Sequence, residues 1–490
     1  MIFSYKQQLI KSIYTTETPV GLTFPLSSHS TKQLAIMKTL LIIGAGPGGY
    51  ECAVQAAAAG LDVHVVDSAD HLGGTCLGEG CIPTKCLCHT AEVIEHVRAA
   101  EAYGITTDLT GFNMSQAIQR KDQIVAQLRQ GIQTLMQTPG ITFHNGKARF
   151  INGDAHTVAV GEETLKADYV IVATGSVPKF LPIPGAHTPG VLTSTEMLQL
   201  TEVPQRLCVI GGGVIGLEFA RIFNTLGSQV TVIEYCKEIL PNFDKDIAKR
   251  LRTALKKRGI EFITGAPVTA IHADEAQKGL LHVSYEHRSA VHDALADVVL
   301  MAVGRAANVD SLNLAEAGID FTPRGITVNE HFETSVPGVY AVGDVNGLLQ
   351  LAHAATFQSY HVLDHILERP NHTDLSLVPA AVFTQPEAAM AGMTEQQVLD
   401  AGIDAATSKA MFAGSGKARA MGHPDGFVKV VYSKGDRRIL GAHIVGPHAA
   451  DLITELALAI QRALTLDDIA VRLIHTHPTL AEVVSAACSR

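Results

Sequence analysis

The sequence predicts an α/β fold built on two similar units that follow one another along the chain. The glycine pattern G-x-G-x-x-G occurs twice, beginning at Gly44 and at Gly211. An apolar segment precedes each copy, and a helical segment follows it. A second apolar segment then ends in an acidic residue, Asp67 or Glu234. This order of strand, glycine turn, helix, strand and acid is typical of Rossmann-like dinucleotide-binding domains.

The composition narrows the class of protein. The chain has 490 residues, 47% hydrophobic and 18% charged, which is ordinary for a soluble protein of about three domains. Its net charge of −10 offers no basic surface for nucleic acid. No apolar run approaches the roughly 20 residues that a membrane helix needs. Eight cysteines are too few for a secreted disulfide scaffold, so we expect a cytoplasmic protein of bacterial type.

Residues 1–36 differ from the rest of the chain. They are rich in Ser and Thr, lack arginine and carry one acidic residue, Glu17. The segment MKTLLIIGAG from Met37 resembles a natural beginning. We therefore expect either a disordered extension or a start codon assigned too early. The alternative is a transit peptide, which would place the protein in an organellar matrix, but the missing arginine argues against it.

The first unit, TLLIIGAGPGGYECAVQAAAAGLDVHVVD, runs from Thr39 to Asp67. We expect Gly44 to permit the tight turn, Gly46 to let the backbone approach a pyrophosphate, and Gly49 to let helix and strand pack closely. The free N–H groups at the start of the helix then face the phosphates. Asp67, 18 residues after Gly49, stands where an acid binds a ribose hydroxyl.

The second unit, RLCVIGGGVIGLEFARIFNTLGSQVTVIE, repeats this arrangement with Gly211, Gly213 and Gly216. Glu234 ends its second strand, again 18 residues after the third glycine. A carboxylate at this point accepts hydrogen bonds from a free ribose and repels a 2′-phosphate. The next residues, YCKEIL, contain no arginine for such a phosphate. The second unit is therefore predicted to bind NAD rather than NADP.

Two dinucleotide sites in one chain imply two cofactors. Two nicotinamides would be redundant, so we expect FAD at the first unit and NAD at the second. The segments ADYVIVATGSVPK and VYAVGDVNG, each an apolar strand that ends in a glycine turn, support FAD at the first unit. Asp344, in the second of these segments, either binds a polyhydroxyl chain such as the ribityl group or simply caps the next turn.

Four cysteines crowd the stretch GGTCLGEGCIPTKCLC, from Gly73 to Cys88. The alternatives are a metal site, a structural bridge, or a disulfide that forms and breaks in turnover. The spacing C-x4-C-x4-C-x-C lacks the paired C-x2-C knuckles of structural zinc, so we expect no metal site. A cysteine near a helix N-terminus has its thiolate stabilised by the helix dipole. Cys86 and Cys88 are expected to continue the helix as small buried residues.

The motif GGTCLGEGCIPTK closely resembles the redox-disulfide motif of the flavin-dependent disulfide oxidoreductases, the class I pyridine nucleotide-disulfide oxidoreductase family. The other motifs are most similar to those of dihydrolipoyl dehydrogenases within it. The resemblance implies that Cys76 exchanges with the substrate and that Cys81 lies against the flavin. It also implies that Lys85, beside the flavin, pairs with Glu218.

The segment IHTHPTLAEVV near the C-terminus resembles the family motif His-x-His-Pro-Thr-x-x-Glu. Thiol chemistry needs a base, and a carboxylate that fixes the tautomer of a histidine makes it a better one. On its own, a His-Pro with a nearby Glu is equally consistent with the start of a helix. The resemblance implies that His477 is the base, that Glu482 orients it, and that it serves the other subunit of a homodimer.

The resemblance also implies which residues contact the cofactors. The FAD contacts are Gly44, Gly46, Gly49, Asp67, Gly74, Thr75, Lys85, Ala148, Gly175, Asp344 and Ala352. The NAD contacts are Gly211, Gly213, Val214, Ile215, Gly216, Glu218, Glu234, Val268 and Gly304.

The resemblance further implies how the chain is divided into domains. The expected parts are an extension (1–36), an FAD-binding domain (37–188), an NAD-binding domain (189–302), a central segment that completes the FAD domain (303–371), and an α+β interface or dimerisation domain (372–490).

The implied activity is the oxidation of protein-bound dihydrolipoamide to lipoamide with reduction of NAD+ to NADH. The implied partners are the lipoyl domains of 2-oxo acid dehydrogenase complexes or the H protein of the glycine cleavage system. One alternative is an NAD(P)H-dependent reductase of another disulfide. A scaffold subunit without turnover is the other alternative, which the complete set of reactive residues argues against.

The sequence departs from the family pattern at several positions. Asp67 replaces a more usual and longer Glu. Glu79 lies between the two reactive cysteines, where its negative charge would disfavour a thiolate. Ala307 stands where the motif Gly-Arg-x-Pro-Asn has its proline, and Thr356 and Phe357 stand where acidic residues are common. None of these changes removes a group with an implied catalytic role.

Overall fold

The first glycine turn joins a strand to a helix in the computed structural model, which describes residues 37–371 and 373–489. The predicted extension, 1–36, lies outside the described residues. Up to Pro178 the elements are β1 (Thr39–Ile43), α1 (Pro47–Ala58), β2 (Asp62–Asp67), α2 (Gly74–Gly78), α3 (Cys81–Ala99), α4 (Met114–Leu135), β3 (Ile141–Asn145), β4 (Ala148–Ile151), β5 (Asp154–Val160), β6 (Glu163–Lys166), β7 (Tyr169–Val172) and β8 (Ser176–Pro178).

The second unit forms a parallel sheet of its own. Its elements are β9 (Val191–Leu192), α5 (Ser194–Met197), β10 (Arg206–Ile210), α6 (Val214–Leu226), β11 (Gln229–Glu234), α7 (Lys245–Lys257), β12 (Glu261–Thr264), β13 (Val268–Ala273), β14 (Leu281–His287), β15 (Ala290–Ala296) and β16 (Val298–Met301). The strand order is β12-β11-β10-β16-β9, with every neighbouring pair parallel. Strands β13 to β15 form a separate antiparallel sheet.

The chain then returns to the first sheet. The returning elements are β17 (Arg305–Ala307), β18 (Phe321–Thr322), β19 (Gly325–Ile326), β20 (Val339–Ala341) and α8 (Ala352–Ile366). Strand β20 pairs in parallel with β7, which gives the first sheet the order β20-β7-β1-β2-β3. Strand β17 pairs with β8. Two parallel sheets of this kind confirm the predicted α/β fold class.

The C-terminal part is α+β, as the resemblance implied. Its elements are β21 (Ala380–Val382), β22 (Glu387–Gly392), α9 (Glu395–Asp400), β23 (Ala405–Met411), α10 (Gly416–Ala420), β24 (Phe427–Ser433), β25 (Ile439–Gly446), α11 (Ala449–Gln461) and α12 (Glu482–Cys488). The five strands form one antiparallel sheet in the order β21-β22-β25-β24-β23. Among the residues that the structure describes, no helix is both long enough and apolar enough to cross a membrane.

A buried ion cluster joins the second unit to the C-terminal sheet. The Lys429 ammonium, on β24, lies 2.9 Å from carboxylates of Asp244 and Asp246 and 2.6 Å from that of Glu395. Asp244 caps α7 of the second unit, and both it and Lys429 are almost fully buried. A charge at such a position is tolerated only because its partners compensate for the lost hydration.

We expect Lys429→Met to lower the free energy of unfolding by about 3–5 kcal/mol, because it leaves the buried Asp244 carboxylate without its cation. Urea unfolding followed by circular dichroism measures the change. The control is Lys434→Met, since Lys434 forms an exposed ion pair with Asp404 and should contribute little. Equal effects of the two substitutions would contradict a special role for the buried cluster.

Candidate functional site

Both glycine turns have the same close contacts. Gly44 and Gly211 have φ of +107° and +110°, and a Cβ on either would lie within 2.4 Å of a carbonyl oxygen of the neighbouring strand end. A Cβ on Gly49 or Gly216 would lie even closer, at 1.8 or 2.1 Å, to the carbonyl oxygen of the first glycine of its own turn. The first and third glycines are therefore required by the protein itself.

The second glycine of each turn has free space beside it instead. A Cβ on Gly213 would meet no atom within 4 Å, and one on Gly46 would meet only Gly74 Cα, at 3.9 Å. The helices that follow, α1 and α6, carry no acidic residue in their first turns. Their free N–H groups and positive dipole ends suit a pyrophosphate, so both turns fit a dinucleotide.

The two acids close the turns. Asp67 accepts hydrogen bonds from the N–H groups of Ala45 and Ser68, at 2.6 and 2.7 Å. Glu234 accepts them from Gly212 and Cys236 in the same way. Each carboxylate oxygen keeps a second lone pair, with which it can accept a hydrogen bond from a ribose hydroxyl. The acids thus hold the turns in addition to the role predicted for them.

The two cysteines of the predicted redox pair lie side by side as free thiols. Cys76 is on α2, and Cys81 is the first residue of the 19-residue helix α3. The hydrogen bond with Cys76 and the charge of Lys85 lower the pKa of Cys81 to about 7, against the effects of burial and Glu218. The hydrogen bond with Cys81 and burial raise the pKa of Cys76. Of the two thiols, Cys81 is therefore the one poised to be a thiolate.

Lys85 lies one helical turn after Cys81 and contacts Glu218. Its ammonium donates hydrogen bonds to both carboxylate oxygens of Glu218, at 3.0 and 2.9 Å. Phe383 N–H donates to the same carboxylate at 3.0 Å, and the Phe383 ring lies 4.3 Å from the ammonium. Burial alone would lower the pKa of Lys85, but Glu218 raises it, so the cation is retained. No sequence motif pointed to the contact of Phe383 with this pair.

We expect Lys85→Met to raise the pKa of Cys81 from about 7 by roughly one unit, because the substitution removes a nearby positive charge. Glu218→Gln should lower it, since Glu218 acts in the opposite direction. The rate of alkylation of the reduced pair by iodoacetamide, measured against pH, reports the thiolate. Shifts of the same sign in both variants would contradict this electrostatic assignment.

A group of polar side chains joins β8, β17 and the turn that follows β20. Asp344 accepts a hydrogen bond from the Ser176 hydroxyl at 2.5 Å, and Arg305 donates to that hydroxyl at 2.7 Å. Burial lowers the pKa of Arg305, while charges at Asp344, Glu79 and Cys81 raise it. Asp344 is thus held in a network rather than acting only as a cap. In the sequence, the motif that contains Arg305 was distinguished only by its missing proline.

The other residues expected to contact FAD lie around the first sheet. Gly74 begins α2, where a Cβ would be 2.8 Å from Gly46 Cα, and Thr75 follows it. Ala352 begins α8, Gly175 has φ of +72° before β8, and Ala148 is buried at the start of β4.

The residues expected to contact NAD lie on the second unit. Val214 and Ile215 begin α6, and Val268 is buried at the start of β13. Gly304 has φ of +107°, with no atom within 4 Å of an added Cβ.

The two later cysteines of the cysteine stretch were both expected to be buried on the helix, and only one of them is. Cys88 is buried in α3, whereas Cys86 is only half-buried on that helix and faces the charges of Arg120 and Lys121. Glu79 is exposed and accepts a hydrogen bond from Thr195.

His477 and Glu482 form a pair on the C-terminal part. Their side chains share a hydrogen bond of 2.8 Å, and Thr479 N–H donates to the other Glu482 oxygen at 2.9 Å. The hydrogen bond with His477 is the main cause that lowers the pKa of Glu482. His477 is 80% exposed in the single chain, and α12 behind it packs on β23 and β24. The cysteine pair instead belongs to α2 and α3, which pack on α4 and α6.

Comparison with known proteins gives consistent results. The family model described as pyridine nucleotide-disulphide oxidoreductase matches residues 38–359, and the dimerisation domain of that family matches residues 378–488. Dihydrolipoyl dehydrogenase from Chlamydia muridarum is 39% identical over 448 residues, 90% of this chain and 94% of the relative. Dihydrolipoyl dehydrogenase from Geobacillus stearothermophilus is 39% identical over 456 residues, 92% and 96% of the two chains.

Solved structures resemble the whole fold. The HOCl-induced flavoprotein disulfide reductase RclA from Escherichia coli superposes with a TM-score of 0.82 at 31% identity, covering 92% of this chain and 99% of its own. LpdA from Mycobacterium tuberculosis superposes with a TM-score of 0.84 at 26% identity and the same coverage.

Proposed function

Because the chain belongs to the pyridine nucleotide-disulphide oxidoreductase family, we propose that it oxidises protein-bound dihydrolipoamide to lipoamide and reduces NAD+ to NADH. It is an oxidoreductase that uses FAD and NAD. The observation that carries the proposal is the Cys76–Cys81 pair, in which the Cys81 thiolate is favoured beside the Lys85–Glu218 ion pair.

The proposed cycle begins with the pair as a disulfide. His477 accepts a proton from one thiol of dihydrolipoamide, and the resulting thiolate attacks Cys76. Cys81 leaves as a thiolate, which its low pKa favours. The second substrate thiol then loses its proton and attacks the substrate sulfur of the mixed disulfide. The S–S bond to Cys76 breaks, lipoamide is released, and Cys76 takes up a proton, which leaves the enzyme pair reduced by two electrons. FAD bound at the first turn would supply the route by which these two electrons reach NAD+, and their removal would restore the enzyme disulfide.

The proposal places the cofactors on the two glycine turns, with FAD at the first and NAD at the second. Glu234 supports NAD over NADP, because its carboxylate would repel a 2′-phosphate. Lys85 supplies a positive charge that would stabilise negative charge developing nearby. We also keep the predicted domain boundaries, with residues 303–371 completing the FAD domain, as part of the proposal.

We further propose that the active enzyme is a homodimer in which His477 serves the other subunit. The dimerisation-domain match supports the dimer. Val471, Leu473 and Ile474, just before His477, are 76%, 43% and 93% exposed in the single chain. Several exposed apolar side chains close together along the chain are typical of a surface that another chain covers. The proposed partners are lipoyl domains of 2-oxo acid dehydrogenase complexes or the glycine cleavage H protein, in the bacterial cytoplasm.

An anaerobic titration of the purified protein with dihydrolipoamide, followed by visible absorbance, tests the proposal. We expect the flavin bands to shift toward a long-wavelength thiolate–flavin band and to recover, with NADH formed, when NAD+ is added. NADP+ in place of NAD+ should be a poor acceptor. A protein that ignores dihydrolipoamide but accepts electrons from NADPH would contradict the proposal and favour a reductase of another disulfide.

A further inference from the structure

The helix α7 of the second unit is unusually basic. Six of its 13 residues, KDIAKRLRTALKK, are Lys or Arg, and only Asp246 is acidic. Lys and Arg make up 38 of the 490 residues of the chain, whose net charge is −10. The helix is therefore a concentrated positive element on a negative protein. Nothing in the activity proposed above uses it.

Four of the basic residues form one row along the helix. Lys245, Lys249, Arg252 and Lys256 follow one another at spacings of four, three and four residues, which places them on the same side of an α-helix. At 1.5 Å per residue this row is about 16 Å long. The opposite side packs into the protein through five buried apolar residues, Ile247, Ala248, Leu251, Ala254 and Leu255. The row, which we call the lysine row, therefore faces outward.

The three lysines of the row are exposed, and their charges are not compensated. Lys245 donates a hydrogen bond to the neutral side-chain amide of Gln396 at 2.7 Å. Within the part of the chain that the structure describes, Lys249 and Lys256 have no carboxylate partner for their ammonium groups. Three positive charges thus remain available on one side of the helix.

Contacts with neighbouring elements hold α7 in place. Asp244 caps its N-terminus and belongs to the buried ion cluster around Lys429, and Asp246 also points to that lysine. Three arginines on and just after the helix pair with acids of other elements: Arg250 with Asp425, Arg252 with Glu238, and Arg258 with Glu95. Because the helix is fixed on these sides, a partner that binds the lysine row has to order only the lysine side chains.

The chemistry of the lysine row favours an acidic protein segment over other anionic partners. Among the described residues of α7, those exposed on this side are lysines and Thr253. The row therefore offers no aromatic ring on which a base can stack and no apolar side chain that enters a membrane. The net charge of −10 repels a long polyanion, whereas a short acidic segment meets mainly the row itself.

We propose that the lysine row is a docking surface for an acidic helical segment of another protein, with carboxylates at the same spacing of four, three and four residues. A helix that lies along α7 then places each carboxylate opposite a basic side chain of the row. The row contains none of the residues with a proposed catalytic or cofactor role, so this inference is independent of the proposed function.

Fluorescence anisotropy with a labelled peptide tests the inference on the full-length protein. The probe is an Ala- and Gln-based peptide of about 18 residues, long enough to be helical, with four glutamates at the spacing of the row. We expect it to bind at an ionic strength of about 0.02 M and to be released by about 0.2 M, because salt screens the charges. An isomer with the same four glutamates spread around the helix should bind several-fold more weakly.

Two double variants with the same change in net charge locate the binding. Lys249→Gln combined with Lys256→Gln should weaken binding of the probe about tenfold, because two uncompensated charges are removed. The control is Lys166→Gln combined with Lys278→Gln, which removes two exposed lysines elsewhere and should change the affinity less than about twofold. Circular dichroism checks that both variants fold, and both should oxidise dihydrolipoamide as the wild type does.

Several results would overturn the inference. Equal affinities of the two double variants, or absence of binding at about 0.02 M, would show that the row is no docking surface. Equal binding of the isomer would show that the spacing has no role. Tighter binding of an oligothymidylate of the same charge, or of phosphatidylserine vesicles, would assign the row to nucleic acid or to a membrane. Self-association that only the Lys249→Gln, Lys256→Gln variant loses would assign it to a second copy of the chain.

The proposed function and this inference fail separately. A protein that binds the probe through the lysine row but does not oxidise dihydrolipoamide would contradict only the proposed function. A protein that oxidises dihydrolipoamide but does not bind the probe would contradict only the docking surface.

Discussion

Serine at Cys76 or Cys81 is expected to reduce the oxidation of dihydrolipoamide by about a thousandfold or more, because a hydroxyl cannot form the exchangeable disulfide. Steady-state assay of NADH formation measures the loss. Transfer of electrons from NADH to ferricyanide should survive in both variants, since it does not require the pair. Survival of this second activity would also show that the variants fold and retain their cofactor.

The matched control for this prediction lies on the same helix. Cys86 and Cys88 follow Cys81 on α3, and Cys88 donates a weak hydrogen bond from its thiol to Phe383 O at 3.5 Å. Serine at Cys86, which is half-buried, makes the same chemical change without touching the pair. Its activity should stay within about twofold of wild type. A loss as large as that of Cys81→Ser would contradict the assignment of the pair.

Glutamine at His477 is expected to lower kcat for dihydrolipoamide by about 10²- to 10⁴-fold, because the thiol then loses its positioned base. Glu482→Gln should have a smaller effect, about tenfold, since it removes the group that orients the imidazole and leaves the base. Steady-state kinetics and single-turnover reduction of the enzyme separate the proton-transfer step from NADH formation. Unchanged kcat in His477→Gln would refute the role of the histidine.

His475, two residues earlier, is the control for His477. It is mostly buried, with its ring 2.9 Å from Glu455, so His475→Gln should affect thermal stability more than turnover.

A subunit-mixing experiment tests whether the site is shared between two subunits of a dimer. Hybrids of Cys76→Ser and His477→Gln subunits contain one intact site if the histidine of one subunit serves the cysteines of the other. They should regain up to about half of the activity per hybrid dimer; no recovery in verified hybrids would contradict the shared site.

Each glycine turn could be predicted from a short stretch of sequence. Gly44, Gly49, Gly211 and Gly216 are required by contacts within one turn and the neighbouring strand end, which a strand–turn–helix pattern already implies. The pairing of Cys76 with Cys81 was predicted from the family motif, and the structure places the two on successive helices, α2 and α3. Cys86 shows the limit of this reasoning: its place on α3 was predicted correctly, but its burial was not.

The surroundings of the site could not be predicted in this way. Phe383 meets Glu218 from 165 positions along the chain. Arg305, Ser176 and Asp344 come together only because the chain returns to its first sheet through β17 and β20. No short sequence pattern identifies such partners. The local sequence pattern of a helix or strand is the same whether or not the partner element lies beside it in the fold.

The sequence by itself determined the fold class and the two glycine turns, and its resemblance to the family motifs predicted the reactive pair and the base. These features depend on backbone conformation and on spacing within one or two elements, which local physical chemistry controls. The tertiary structure decided which charges surround the thiols, and that Asp67 and Glu234 also hold their turns. Electrostatic effects and packing depend on distance in space, and only folding brings together residues that are remote along the chain.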